Sequence, residues 1–391
     1  MAKTKMLWVL LLVAACSTNG GSEDPSSGTG VEASASSSTG TASTSEASIG
    51  TTDAASSSTS LDPDGSDSTG PTPTTGVPMF VALGQGGRRL ISCDDGSSWG
   101  TEQVIETNDD DHGPYSARDV AWGDDTFLLG MGWGFPARIA RSEDGIDWTE
   151  TFPPPDYVEM RGLSGIAFGG GRFVAVVGRD AWASDDAGQS WSLAGQLPTG
   201  GNIRVVTHGM GGYFAVEDGG LIYRSADGSR WAGPLPTEGS CDGGNLSRRG
   251  GIAERDGVLV LVTDVGNVCR SDDGGNTFTH HTLGTVTGDV LVRSDVVATD
   301  EGFFAAGRDL GWHSLDGVTW DTVPFALDGD DIVTIAHSTE TGTLVGIAWN
   351  GDDFYRSTDG GRSWTRAEAP AGNDTNQAEF GWASASTTCA Q

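Results

Sequence analysis

An all-β chain built from one repeated unit is the fold class this sequence predicts, on three observations. Gly supplies 60 of the 391 residues and Trp 13; against an ordinary glycine usage of roughly 7%, this suits short strands and tight turns better than helices. One turn-like motif recurs seven times at a near-constant interval. Between its copies stand short apolar runs of strand length, such as Phe173-Val174-Ala175-Val176-Val177 and Val258 to Val262. Charge excludes two functions at the outset. Acidic residues number 54 against 22 basic, a formal charge of −32, and the only lysines are Lys3 and Lys5. Affinity for phosphate chains or anionic membrane surfaces needs clustered cations, so neither nucleic-acid binding nor a polybasic membrane mode is expected.

Taken in chain order, the first element is an export signal. Lys3 and Lys5 precede the apolar run Met6 to Val13, a positively charged segment followed by a hydrophobic one too short to span a bilayer. The run ends Val13-Ala14-Ala15-Cys16, which resembles the lipobox of bacterial lipoproteins. The resemblance implies a signal peptide over residues 1–15, acylation of Cys16 and a membrane contact made only through that lipid. Ser17 implies sorting to the outer membrane. Residues 16–77 are nearly all Ser, Thr, Gly, Ala, Pro and acid, without one Lys, Arg or aromatic side chain after the Cys. Such a segment buries too little apolar surface to offset its ordering entropy, so it reads as a flexible acidic tether.

Residues 78–391 hold the repeat. Its visible part, Ser-x-Asp-(x)-Gly-x-x-Trp, begins at Ser92, Ser142, Ser184, Ser225, Ser271, Ser314 and Ser357. Each copy keeps an acid two residues on: Asp94, Asp144, Asp186, Asp227, Asp273, Asp316 and Asp359. Each closes on an aromatic: Trp99, Trp148, Trp191, Trp231, Phe278, Trp320 and Trp364. Asp and Ser oxygens suit the N–H groups of a tight turn, and Gly suits its positive φ. These residues resemble the Asp-box (bacterial neuraminidase repeat) family of β-propellers. The resemblance implies a seven-bladed β-propeller whose boxes are structural turns between the third and fourth strands, away from the ligand face.

Three further strands are expected before each box, for example Asp119 to Gly123, Thr126 to Gly132 and Ala137 to Ser142. Their apolar middle strands suit sheets covered on both faces, which a ring of blades provides. Before the first box only Met79 to Gly84 and Arg88 to Ser92 remain, with no room for a first strand. Phe380 to Ser386, after the last blade, looks like that missing strand, so the C-terminal strand is expected to close the ring by pairing in the first blade. With Cys16 lipidated, four cysteines allow three pairings. Within the propeller reading, Cys93–Cys389 would lock the closure and Cys241–Cys269 would staple a long loop; free buried thiols are the alternative.

The face opposite the boxes is where function is expected, on loops that include Val104 to Ala117, Pro153 to Leu163, Pro236 to Gly250 and Gly284 to Ser294. An arginine recurs near the start of successive first strands: Arg118, Arg161, Arg204, Arg249 and Arg293, with Asp331 and Glu379 in the next two blades. Pointing into the channel mouth, these would form a cationic ring for carboxylates, sulfates or sialic-acid-like anions; local pairing with the many acids is the plainer alternative. Sialidases of the resembled family need a Tyr nucleophile helped by a Glu, and Tyr157 with Glu159 is the pair to nominate. Their Arg-Ile-Pro signature is missing, and no zinc motif or nucleophile elbow is present. No catalytic residue, metal or cofactor is therefore assigned. The expected function is a monomeric binding or scaffold module for an envelope protein, glycan or other anion, with a sialidase-like glycoside hydrolase or lyase as the alternative.

Overall fold

The structure is a computed structural model. It describes residues 76–391 except 108–111, 134, 156, 158–160, 243–250, 264–265, 285–291, 308–309, 325–326, 328–331, 349–352, 385–386, 388 and 390–391. Cys16, the signal segment and the tether before Gly76 lie outside the described residues. Those described form seven four-stranded antiparallel sheets arranged as a seven-bladed β-propeller. Blade 2 shows the pattern, with Ala117–Gly123 innermost, then Thr126–Met131, Arg138–Ser142 and an outer Thr149–Phe152. The second strands are buried along nearly their whole length, as at Thr126–Met131, Arg172–Val177 and Gly302–Gly307. A strand packed on both faces needs no polar side, which is why these segments read as unbroken apolar runs.

Every Ser-x-Asp motif connects a third strand to a fourth. The Ser hydroxyl donates to the Asp carboxylate, at 2.9 Å in Ser142–Asp144 and 2.8 Å in Ser271–Asp273. The same oxygen accepts the glycine N–H, from Gly145 at 2.8 Å and Gly275 at 3.0 Å. The carboxylate then takes N–H groups further on, those of Asn276 and Thr277 in the fifth blade. The glycine has a second reason to be there. Its φ is positive (73° at Gly275, 76° at Gly228), and it lies against the second strand of the preceding blade. A Cβ on Gly228 would stand 2.3 Å from Val174 Cγ2, and one on Gly275 2.3 Å from Phe214 Cζ. Gly96, Gly145, Gly188, Gly317 and Gly361 meet the preceding blade in the same way. The motif is thus both a turn and a blade-to-blade contact.

A set of arginines reinforces that contact. Arg141, Arg270 and Arg356 each precede a motif serine, and each donates through Nε to a carbonyl in the next blade's turn: Ala187 at 3.1 Å, Asp316 at 2.8 Å and Asp95 at 2.6 Å. Arg224 reaches the next blade through Nη1, which donates to the Asn276 side-chain oxygen at 3.0 Å.

The ring closes in the first blade, whose order is Thr375–Ala383, Val77–Gly84, Arg89–Ser92, Gly100–Gln103. The closing strand starts five residues before the expected Phe380, and it pairs from Val77↔Ala383 to Gly84↔Thr375. Its first part, Thr375-Asn376-Gln377, is polar yet buried, so it lacks the apolar pattern that marks the other strands. Cys93 is bonded to Cys389 with Cα atoms 6.1 Å apart, and Cys241 to Cys269 at 5.6 Å. Arg88, fully buried, forms a further tie: Nε donates to Glu102 at 2.7 Å, Nη1 to the Asn373 carbonyl and Nη2 to the Pro370 carbonyl. A buried cation with a carboxylate and two carbonyls has its hydrogen-bonding needs met, which offsets its desolvation.

Candidate functional site: the channel mouth

The inner strands of all seven blades surround a central cavity of about 350 Å³, with Val120, Ile166, Val206, Ile252, Val296, Thr334 and Ala378 in its wall. The Ser-x-Asp turns lie at one end of this channel. At the other end, the mouth, the fourth-to-first and second-to-third connections gather, because each inner strand starts there.

Near the mouth the inner strands share a defect in register. Pairing with the second strand slips between Ala117 and Asp119, Leu163 and Gly165, Ile203 and Val205, and Ile332 and Thr334. The extra residues, Arg118, Ser164, Arg204 and Val333, therefore occupy one structural position. A bulge re-aims a side chain at the edge of a sheet. Arg118 and Arg204 both line the cavity. Arg161 does not stand with them. It precedes its strand by two residues, packs its stem over Gly178 and faces Asp180 at 3.9 Å. Its 43-residue spacing from Arg118 matched the repeat length, but Ser164 holds the equivalent position. Arg249 and Asp331 lie outside the described residues, and of Arg293 only the backbone, in Val292–Thr299, is described. Glu379 lines the channel wall.

The two arginines meet an aromatic that the sequence did not single out. Trp133, on the second-to-third connection of blade 2, has the Arg118 guanidinium 3.9 Å and the Arg204 guanidinium 5.4 Å from its ring centroid. Arg204 belongs to blade 4, so the indole reaches across the mouth. Arg118 is buried, with Gln377 donating to its carbonyl at 3.0 Å, whereas Arg204 forms an ion pair with Asp218. Burial pushes the Asp218 carboxyl up, but the hydrogen bonds from Arg204 and Asn202 prevail and hold it below its ordinary value. Below Arg118, Asp119 turns its carboxyl into the gap between blades 2 and 3, accepting the Ile166 N–H at 2.7 Å and the Val120 N–H at 2.9 Å. Burial pushes this carboxyl up to about 7, against the pull of both N–H groups and of Arg118. The mouth thus brings together two guanidiniums, one of them paired with Asp218, the Glu379 side chain and the buried Asp119.

The tyrosines are employed elsewhere. Tyr157 packs on Phe152 and Trp182, at ring distances of 5.3 and 5.6 Å, and Glu159 lies outside the described residues. Tyr213 donates to the Gly169 and Arg172 carbonyls, and burial pushes its hydroxyl up to about 12. None of Tyr115, Tyr157, Tyr213, Tyr223 or Tyr355 lines the cavity. Among the described residues no group of His, Cys, Asp and Glu is arranged to hold a metal ion.

No protein-family model matches the chain, and no curated protein does. Solved structures do resemble it. YCF48 bound to D1 peptide aligns over 64% of this chain and 80% of its own, at 18% identity and a TM-score of 0.50. A catalytically inactive virginiamycin B lyase from Staphylococcus aureus, with quinupristin, aligns over 64% and 84%, at 12% identity and a TM-score of 0.52. At such identities the likeness is one of fold, and what the chain shares with these proteins is the β-propeller.

Proposed function

We propose that this chain is an exported, lipid-tethered propeller of the Asp-box type that works as a binding or scaffold module at the bacterial cell envelope, holding an anionic group at its channel mouth. Residues 1–15 are the signal, Cys16 the lipidated residue, 16–77 the tether and 78–391 the working domain in this reading. The observation that carries it is the convergence of Arg118 and Arg204 on Trp133 above the cavity. Guanidiniums recognise carboxylates and sulfates through paired N–H donors, and an aromatic face orients them. That the fold serves for peptide capture in one resembling structure is consistent with a protein ligand. The sialidase-like alternative is less favoured, since the nominated nucleophile Tyr157 packs its ring on Phe152 and Trp182.

Calorimetric titration of the full chain with citrate tests the reading. Binding that weakens roughly tenfold or more in Arg118→Gln/Arg204→Gln supports it, whereas unchanged binding or no binding removes it. Incorporation of an alkyne-labelled fatty acid, lost in Cys16→Ser, tests the anchor separately.

A further inference from the structure

The two disulfides differ in what can reach them. Cys241, on the short helical turn Gly239–Asp242, and Cys269, on the third strand of blade 5, are both fully buried. Cys93 and Cys389 are only partly buried, at the end of the channel where the Ser-x-Asp turns lie. Cys93 is the second residue of the first-blade turn, between Ser92 and Asp94. It also lines a cleft of about 150 Å³, together with Pro78, Asp95, Glu340 and Thr341. Cys389 belongs to the tail behind the closing strand. That tail reaches blade 2, where the Ser384 N–H donates to the Glu143 carbonyl at 2.8 Å, and Cys389 packs against the apolar cluster that holds Met79, Val81 and Ile91. The Cys93–Cys389 bond therefore ties the end of the closing strand to the blade it completes.

We propose that Cys93–Cys389 is a reversible thiol–disulfide exchange site, a redox-operated latch on the ring, whereas Cys241–Cys269 is closed to exchange in the folded protein. The partner is a dithiol, and it attacks Cys93, the sulfur that stands in the cleft wall. A thiolate of the dithiol bonds to Cys93 Sγ, the Cys93–Cys389 bond breaks, and Cys389 leaves as a thiolate that takes up a proton. The second thiol of the reductant then attacks the mixed disulfide. Cys93 is released as a thiol and the reductant departs as its own disulfide. Two electrons and two protons pass to the protein, and a disulfide oxidant reverses each step. Exchange needs access to a sulfur, which burial denies at Cys241 and Cys269. What the latch governs is the closing strand. Thr375–Ala383 brings Gln377 and Glu379 to the channel wall, and Gln377 supports blade 2 by donating to the Arg118 carbonyl at 3.0 Å. With the bond open, the strand keeps its pairing to Val77–Gly84 but its end is no longer held. The seam then opens more often than the rest of the ring.

The test uses the full chain with Cys16→Ser, which leaves these four cysteines as the only ones. Dithiothreitol is added without denaturant, free thiols are trapped with iodoacetamide at intervals, and the alkylated positions are mapped by peptide mass. Cys93 and Cys389 are expected to be alkylated roughly tenfold or more faster than Cys241 and Cys269. Equal rates, or release of Cys241–Cys269 first, overturn the inference, because both bonds then open only when the whole ring unfolds. Backbone hydrogen exchange reads the latch itself. In the reduced chain the amides of Val77–Gly84 and Thr375–Ala383 should exchange roughly tenfold or more faster, with Gly212–Glu217 of blade 4 unchanged. Oxidised glutathione should restore the bond and the slow exchange. Seam exchange that does not respond to reduction, acceleration spread evenly around the ring, or a reduced chain that does not recover on oxidation each overturns it.

Discussion

The two ends of the channel follow opposite rules. At one end each blade repeats the same turn, with its serine, its acid and a glycine pressed against the preceding blade. At the other, connections vary in length and content, and the residues that converge, Arg118, Trp133 and Arg204, come from blades 2 and 4 only. Repetition secures the ring, and the connections that depart from it are the ones a scaffold can give to function. The acids show the same contrast. Asp227, in a turn, is held down at about 2 by the Ser229 N–H and hydroxyl. Asp119, under the mouth, is pushed up to about 7 by burial.

That division can be broken by experiment, and the largest effect is expected at the closure. Cys93→Ser/Cys389→Ser opens a link spanning 296 residues; chain-entropy arguments put the loss at up to about 5 kcal/mol, measured by urea unfolding under non-reducing conditions. Asp119 comes next. Its folded value lies above its ordinary 3.8, so the native state binds the extra proton, and stability should fall as pH rises from about 4 to about 7, by up to about 4 kcal/mol. Asp119→Asn should flatten that limb, and a wild-type curve already flat there would refute the assignment. The turn acid Asp227 has the reverse sign: its contribution is present above its ordinary value and is lost as pH falls toward 2. Third, Gly228→Ala should cost about 2–4 kcal/mol, joining left-handed backbone strain to a collision with Val174. Gly211→Ala is the control. It has positive φ but nothing within 4 Å, and should cost only about 1–2 kcal/mol. The smallest effect on stability belongs to the mouth: Arg204→Gln breaks a partly buried ion pair with Asp218 and should change unfolding by about 1 kcal/mol. A loss there as large as at Gly228 would erase the distinction between the ends.

The repeat was legible because it is local. Ser, Asp, Gly and Trp within eight residues determine a turn wherever it occurs, and the spacing of turns gives the number of blades. The closing strand was only half legible, since its buried start, Thr375-Asn376-Gln377, is satisfied by partners and carries no apolar pattern. One member of the arginine series, Arg161, was misplaced for a related reason. Spacing counts residues, whereas the bulge decides which residue turns inward, so Arg161 fits the count and Ser164 fits the place. Trp133 could not be found by spacing, because its partner Arg204 stands two blades away. One signal was present and unread: Arg141, Arg224, Arg270 and Arg356 each stand directly before a motif serine, and each reaches into the next blade.

The closing strand also sets a timetable for folding. Val77–Gly84 finds its inner partner only when Thr375–Ala383 exists, about three hundred residues later. Until then the apolar segment Met79-Phe80-Val81-Ala82-Leu83, buried in the finished ring, presents an unpaired edge. Such long-range pairing is slow to form and exposes sticky edges while it waits. A chain truncated before Thr375 would retain six intact blades and a permanent seam. Val77–Gly84 is therefore covered only once Thr375–Ala383 has been made, so the two segments most distant in the ring's sequence share one fate.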